Sequence, residues 1–321
     1  MGVDQQGSTT QPGTRHPVER TVAAAGAESQ PLSTPIHPRQ QVSAHLLVAE
    51  EHFACSTLVA DAMRVRILPS GCVYSIEHGT GQHAIQLNQV LASPTSGGIA
   101  RLFLRDLGGE TIVAQSIVGP GSRAMLRACA DSFEWTGGHD GLRFRAIFSL
   151  QPDGAAWTMR VEVENTGLRP RHIDFVQLQD VALASRSQAR NNELYNSQYL
   201  DHASLAHDRV GWIVMTRQNL PQAGGSHPWL AQGCYPSADG FVTDGSDFFG
   251  VGHRAPGVPE ALSRAVIGTA VRQHETAYIG IQSAELVLQP GENGRVVFFS
   301  LFKPDHPAAS SRDDLTSSYQ L

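Results

Sequence analysis

Hydrophobic and polar residues alternate along much of this chain with a period of two. The stretch LRFRAIFSLQPDGAAWTMRVEVENTG, residues 142–167, shows it most clearly. Trp157, Met159, Val161 and Val163 fall on one side of an extended backbone, with Thr158, Arg160, Glu162 and Glu164 on the other. Successive side chains of a strand point to opposite faces, so this spacing predicts a strand half-buried against a core. QPDG between the two arms puts Pro and Gly where a type I turn takes them, and the pair reads as a hairpin.

MRVRILPSGCVYSIEHG (63–79) reads as a second hairpin, turning at PSG. RLFLR (101–105), GWIVMTR (211–217), TAYIGI (276–281), ELVLQ (285–289) and RVVFFSLF (295–302) are further arms, the last two joined through PGENG. Helical periodicity is nearly absent. PEALSRAV (259–266) fits a turn or two, and SSRDDL (310–315) resembles a helix start with a Ser cap. Many short strands with Gly-rich turns and no alternating helices predict an all-β fold, a large antiparallel two-sheet sandwich. No internal repeat is visible, which argues against a propeller.

Residues 1–40 depart from this pattern. They carry Pro12, Pro17, Pro31, Pro35 and Pro38 and no aromatic residue, so they cannot bury enough apolar surface to offset their ordering entropy. A disordered N-terminal tail is expected there, with the folded part beginning between Gln41 and Phe53. Composition narrows the function classes. The net charge is -6, and a single lysine, Lys303, stands among 24 basic residues. No basic stripe of the kind nucleic acid requires is present, and no nucleic-acid partner is expected. No run approaches the roughly 20 apolar residues of a membrane span, and no signal segment opens the chain, so a cytoplasmic protein without a membrane partner is expected. Cys55, Cys72, Cys129 and Cys234 are scattered without a CxxC pair, which predicts reduced thiols and neither a zinc site nor a disulfide framework.

The common catalytic motifs are missing: no nucleophile elbow, HExxH, Walker loop or calcium loop occurs. Gly119-Pro-Gly-Ser-Arg-Ala124 matches a dinucleotide fingerprint formally, but no βαβ pattern surrounds it and it reads as a turn. No catalytic residue, metal ligand or cofactor is predicted. The region from Asn191 to Gly250 stands apart. It opens with NNELYNSQYLDH (191–202), too polar for a core strand and too rich in amides and aromatics for an idle linker. Sugars present rows of hydroxyls and flat C–H faces, and a site for them wants amides, carboxylates and Arg beside aromatic rings. Long loops of this composition predict carbohydrate contact. The same loops, with their polar groups bracing their own backbone, are the other reading.

Several stretches occur in fixed order: NNELYNSQYLDH, RQN (217–219), HPWLAQG (227–233), TDGSDFFG (243–250), PEAL (259–262), AYIGIQS (277–283), LQPGE (288–292) and FSLFKPDHPAAS (299–310). The series resembles the N-terminal β-sandwich of glycoside hydrolase family 94, formerly glycosyltransferase 36. That family includes 1,2-β-oligoglucan phosphorylases, cyclic β-1,2-glucan synthases and cellobiose phosphorylases. The resemblance spans residues 45–310 and implies a supersandwich of the galactose-mutarotase type over 41–306. The start of a linker helix over 307–321 and a separate (α/α)6 barrel that carries the catalytic acid follow from it. It implies a non-catalytic domain whose loops close a site for a β-linked glucooligosaccharide. The partners are then a helical-barrel domain or subunit and a second copy of the chain. Inorganic phosphate enters only as a co-substrate of the barrel. The residues expected at the sugar are Glu193, Tyr195, Gln198, Tyr199, Asp201, His202, Arg217, Gln218, Asn219, His227 and Trp229. Two alternatives stand beside this: a mutarotase-like enzyme working with Glu193, His202 and His227 as acid and base, and a stand-alone carbohydrate-binding protein.

Overall fold

The structure, a computed structural model, describes residues 43–46, 55–93, 96–191, 193–250, 258–273 and 276–314. The expected tail over 1–40 falls outside this set. In chain order the first strands are β1 (Ser43–Leu46), β2 (Ser56–Ala60), β3 (Met63–Ile67), β4 (Val73–His78), β5 (Ile85–Gln86), β6 (Arg101–Asp106) and β7 (Val113–Val118). β8 (Met125–Ala128), β9 (Phe133–His139), β10 (Leu142–Leu150), β11 (Ala156–Asn165), β12 (Arg171–Asp180) and β13 (Ala184–Ser185) follow. Two short helices, α1 (Arg186–Asn191) and α2 (Glu193–Ser197), lead into β14 (Leu200–His207), β15 (Gly211–Gln218), β16 (Trp229–Tyr235) and β17 (Ala238–Asp244). Helix α3 (Gly245–Phe249) precedes β18 (Ala277–Ser283), β19 (Leu286–Leu288) and β20 (Asn293–Lys303).

The alternation read from the sequence forms as expected. β10 and β11 pair in register from Leu142–Asn165 to Leu150–Trp157, and β11 pairs on to β20, so Phe148, Met159 and Phe298 lie in one row across three strands. Those residues are buried together with Phe144, Trp157 and Val161, while Arg143, Arg160 and Glu162 face outward. Gly137 sits opposite Phe144, where an added Cβ would stand 2.7 Å from the ring, so the glycine makes room for the aromatic face.

Two sheets result. A six-stranded sheet runs β1-β2-β3-β4-β5-β13, and a fourteen-stranded one runs β7-β6-β12-β18-β17-β15-β16-β20-β11-β10-β9-β8 with β14 beside β15 and β19 beside β12. The larger sheet curls until β7, at one end, approaches β9, next to the other. It consists of two leaves, because β15 and β17 share a single bridge, Gly211 with Ala238, the one parallel pairing among the described residues. Gly211 takes a left-handed φ of 68° there, and a Cβ on it would lie 2.2 Å from the Ala238 carbonyl oxygen. The core between the sheets is one apolar cluster, joining Leu58 and Val65 of the small sheet to Phe144 and Val161 of one leaf and Phe175 and Ile279 of the other. Gln179, Gln232 and Ser300 are buried as well, and Gln232 Nε2 donates to Ser300 Oγ at 3.0 Å.

One expectation fails. The region 191–250 is not a set of long loops but is mostly α2, β14 to β17 and α3. β14 tolerates its polar residues because, among the described residues, it lies at a leaf edge and pairs with β15 alone, so Leu200 and His202 are its buried residues. PEALSRAV gives the 3-10 turn Glu260–Ser263, which buries Ala261 and Leu262. This segment is clamped by Arg105, buried on β6. Its guanidinium grips Asp174 in a two-pronged ion pair and donates to the carbonyls of Leu262 (3.3 Å), Arg264 (2.6 Å) and Ala265 (3.2 Å). Gln282 completes the clamp, donating to Asp174 Oδ2 and to the Ala265 carbonyl at 2.9 Å each.

Candidate functional site

The strand period divides the predicted site residues into two groups. Asp201 and His202 are neighbours on β14 and point to opposite faces. Cross-strand register then places Asp201, Arg217, Trp229 and Lys303 in a single row over β14, β15, β16 and β20 on the outer face. His202, Thr216, Leu230 and Phe302 form the matching row on the inner face.

At the start of β14, α2 and the turn after it present the more exposed group. Tyr195 and Tyr199 are four residues apart, so one helical turn brings their rings together. Their centroids are 5.0 Å apart in an edge-to-face arrangement, and Tyr199 Oη donates to Tyr195 Oη at 3.0 Å. That hydrogen bond pushes the Tyr199 phenol up, so its hydroxyl stays protonated in neutral solution. Tyr195 is 47% exposed, and Glu193, Gln198, Asp201 and Asn219 also reach solvent around the pair. The Asn219 N–H donates to the Tyr199 carbonyl at 2.8 Å, which fixes that loop beside the rings.

The pair stands on a rigid base of buried amides. Asn196, on the inward side of α2, donates to Gln89 Oε1 (3.0 Å) and to the Ala182 carbonyl (2.9 Å). Gln218 donates to Asn196 Oδ1 (3.2 Å) and to the same carbonyl (3.1 Å), and its Oε1 accepts the Leu220 N–H at 2.9 Å. Gln218 is therefore a buried brace, not a sugar contact. Sequence reasoning missed Gln89 and Asn196 as supports, because an amide in a polar stretch carries no sign that it faces inward.

His202 is also corrected from surface to interior. Its Nδ1 lies 2.9 Å from Thr216 Oγ1. Burial pushes its pKa down to about 4, against a smaller upward pull from Asp244. Asp244 caps α3, its Oδ1 accepting the N–H groups of Ser246 (2.8 Å) and Asp247 (3.1 Å), while Oδ2 accepts the Thr276 hydroxyl at 2.8 Å. A buried imidazole facing the core cannot exchange protons with a sugar beside Glu193 on α2. The acid–base set of Glu193, His202 and His227 is not assembled.

Arg217, His227 and Trp229 come together, but around another part of the chain. Residues 304–314 cross the outer row as a strap. Arg217 donates to the His306 carbonyl (2.7 Å) and the Pro307 carbonyl (3.1 Å) and holds Asn219 Oδ1. Trp229, fully buried, stacks on the His306 ring at 5.1 Å, donates from Nε1 to Ser310 Oγ at 2.9 Å, and lies under Lys303 Nζ at 4.8 Å. His227 Nδ1 donates to the Gln218 carbonyl (3.0 Å), and its N–H donates to Asp305 Oδ1 (2.9 Å). His306 Nε2 meets Asp314 Oδ1 at 2.7 Å. Burial works to raise the Asp314 carboxyl, but hydrogen bonds from His306 and the Ser311 N–H, with the nearby charges of His306 and Lys303, hold it below its usual range. A short turn closes at Ser311: its N–H donates to Asp314 Oδ2 (2.8 Å), its Oγ accepts the Asp313 N–H (3.3 Å), and its carbonyl accepts the Asp314 N–H (3.3 Å). Arg217, His227 and Trp229 are thus docking residues for the strap. RQN, HPW and KPDHPAAS meet in one joint.

Among the described residues no group of three or more His, Cys, Asp or Glu is placed to hold a metal ion, and no helix is long and apolar enough to cross a membrane. The architecture and the exposed corner together define a curled, antiparallel two-sheet β-sandwich domain that presents an aromatic and amide patch at one leaf edge. The chain belongs to the SOGP N-terminal domain family, whose model matches residues 66–300. Comparison with curated proteins returns no match. Among solved structures the chain is similar to a polysaccharide lyase, at 10% identity over 76% of this chain and 33% of that one, with a TM-score of 0.47. It is also similar to a bacterial glucoamylase complexed with acarbose (9% identity, 89% and 38% coverage, TM-score 0.46). A galactose mutarotase-like protein from Clostridium acetobutylicum is similar at 10% identity, with 82% and 99% coverage and a TM-score of 0.40. The chain spans about a third of the length of the lyase.

Proposed function

We propose that this chain is a non-catalytic, carbohydrate-binding sandwich domain of a phosphorylase-like glycan enzyme. It contributes the α2–β14 corner to a site for a β-linked glucooligosaccharide, completed by a helical-barrel domain or subunit. The observation that carries the reading is the partly exposed Tyr195–Tyr199 pair, with Glu193, Gln198, Asp201 and Asn219 also reaching solvent on the same segments, at the end of a braced helix. Aromatic faces on a fixed support suit the C–H faces of a pyranose, and amides and carboxylates beside them suit its hydroxyls. Further support comes from the family 94 resemblance of the motifs and from a family description that itself names an N-terminal domain. Phosphate acts in this scheme only as the barrel's co-substrate, since inverting transfer needs a carboxylic acid on one face of the sugar and a nucleophile on the other.

The test is a binding titration with β-1,2-glucooligosaccharides. Tyr199→Ala and Asp201→Ala, at half-buried positions outside the core, are expected to change stability by about 0.5 kcal/mol and to weaken binding or any activity restored by a barrel added in trans. Strong destabilisation with unchanged binding per folded molecule would make these side chains braces. Sustained glucose 1-phosphate release by the isolated chain would show that it is catalytic. Binding without any gain from a barrel would favour the stand-alone binding protein.

A further inference from the structure

A second recess lies beside α1. A cleft of about 710 Å³ opens between the 3-10 turn Gly81–His83, α1 and the 3-10 turn Ala223–Gly225. Its volume falls within the range of about 300–1,000 Å³ usual for small-molecule clefts. Ser185, Arg186, Ser187, Gln188, Arg190 and Gln222 supply its polar lining, which among the described residues contains two guanidiniums and no carboxylate. Arg186 and Arg190 stand four residues apart on α1, the spacing that puts both on one side of a helix.

Two guanidiniums in one lining are the donor set that suits an oxyanion. Glu77 lies 4.0 Å from Arg186 Nη2, and the same carboxylate oxygen takes Arg66 Nη2 at 2.6 Å, so Glu77 is shared between two guanidiniums. Both cleft arginines make interactions of their own within the chain, which restrains them. Gln222 is a fixed part of the wall: its Oε1 accepts the Ser185 N–H at 2.9 Å and its Nε2 donates to the Leu220 carbonyl at 2.9 Å. Ser185 Oγ lies 3.2 Å from both Ser187 Oγ and Gln188 Oε1, so hydroxyl and amide groups gather beside the charges.

We propose that this cleft binds a small polyhydroxylated anion, a sugar bearing a phosphate ester or a carboxylate. Arg186 and Arg190 take the anionic group, and Ser187 and Gln188 take ring hydroxyls. Guanidinium groups bind both oxyanions with charge-assisted hydrogen bonds, roughly twice as strong as neutral ones. The assignment is independent of the neutral glucan reading of the α2–β14 corner, because it rests on different side chains and a different charge.

Calorimetric titration of the full chain with glucose 6-phosphate, glucuronate and glucose tests it. At least one charged probe is expected to bind about tenfold or more tighter than glucose, a difference of about 1.4 kcal/mol. Preference for glucose 6-phosphate alone assigns a phosphate ester, and preference for glucuronate alone a carboxylate. Arg186→Gln combined with Arg190→Gln should abolish the preference while leaving glucose binding unchanged. Since Arg186 lies near Glu77, Arg190→Gln alone, at an exposed position, serves as the folding-neutral variant and should lower the affinity for the charged probe severalfold. Equal binding of all three probes, binding of neither anion, or a charge preference that survives the double substitution in a folded protein would overturn the proposal.

Discussion

Lowering the pH should unfold this sandwich partly through His202. In the native structure its ring is buried against Thr216 and neutral, with a pKa of about 4, whereas in an unfolded chain a histidine titrates near about 6.5. Between those values the unfolded state binds a proton that the folded state refuses. The stabilising contribution is therefore complete above about pH 6.5 and is lost as pH falls toward about 4. Each pH unit in that window is worth about 1.4 kcal/mol, so at pH 5.0, about 1.5 units below the unfolded value, His202 alone should remove about 2 kcal/mol. That is a large share of the roughly 5–15 kcal/mol that holds a typical domain folded. Urea unfolding at pH 7.5 and pH 5.0, on the parent and on His202→Asn, isolates the effect. Asparagine keeps a polar atom near Thr216 but does not titrate, and the other histidines are common to both proteins. The parent should lose about 2 kcal/mol more than the variant between the two pH values. Equal losses would refute the reasoning and mean that His202 takes up its proton without leaving its site.

Two substitutions test the architecture. Gly211→Ala places a side chain at left-handed φ against the Ala238 carbonyl on the single bridge between the leaves, and should lower stability by more than about 1 kcal/mol in urea unfolding; an unchanged midpoint would show that the bridge is not a joint. Arg105→Leu strands the buried Asp174 and should cost about 3–5 kcal/mol, with part recovered when Asp174→Leu is added; a double variant no more stable than the single would mean that the carbonyls of 262–265, not the ion pair, are what Arg105 serves.

The strands were legible because their period is local. Trp157, Met159, Val161 and Val163 declare an inward face within one hairpin, and each is buried. Most of what supports the candidate site was not legible, because it depends on pairings far apart in the sequence. Gln89 and Asn196 are 107 positions apart, and Arg217 and His306 are 89 apart. A polar residue also reads as outward by default, so Gln218 and His202 looked like surface when they are buried. The helices α1 and α2 were missed because their amide-rich turns carry no apolar stripe of helical period. The two tyrosines were legible as candidates by composition, but their pairing was not, because the stretch read as a loop and a loop fixes no spacing.

The strap changes where this domain can be cut. Judged by strands alone, a recombinant fragment should end at Lys303, the last residue of β20. Such a fragment would remove the His306 ring from Trp229, Ser310 from the indole N–H, and two carbonyl acceptors from Arg217. A tryptophan contributes a large apolar area, about 150–250 Å² when buried, and uncovering it beside Ile213 and Met215 opens an adhesive patch. Fragments ending after β20 should therefore aggregate or bind chaperones during expression, while those retaining Asp314 keep the roof. The practical edge of the sandwich is drawn by side chains, eleven residues beyond its last strand.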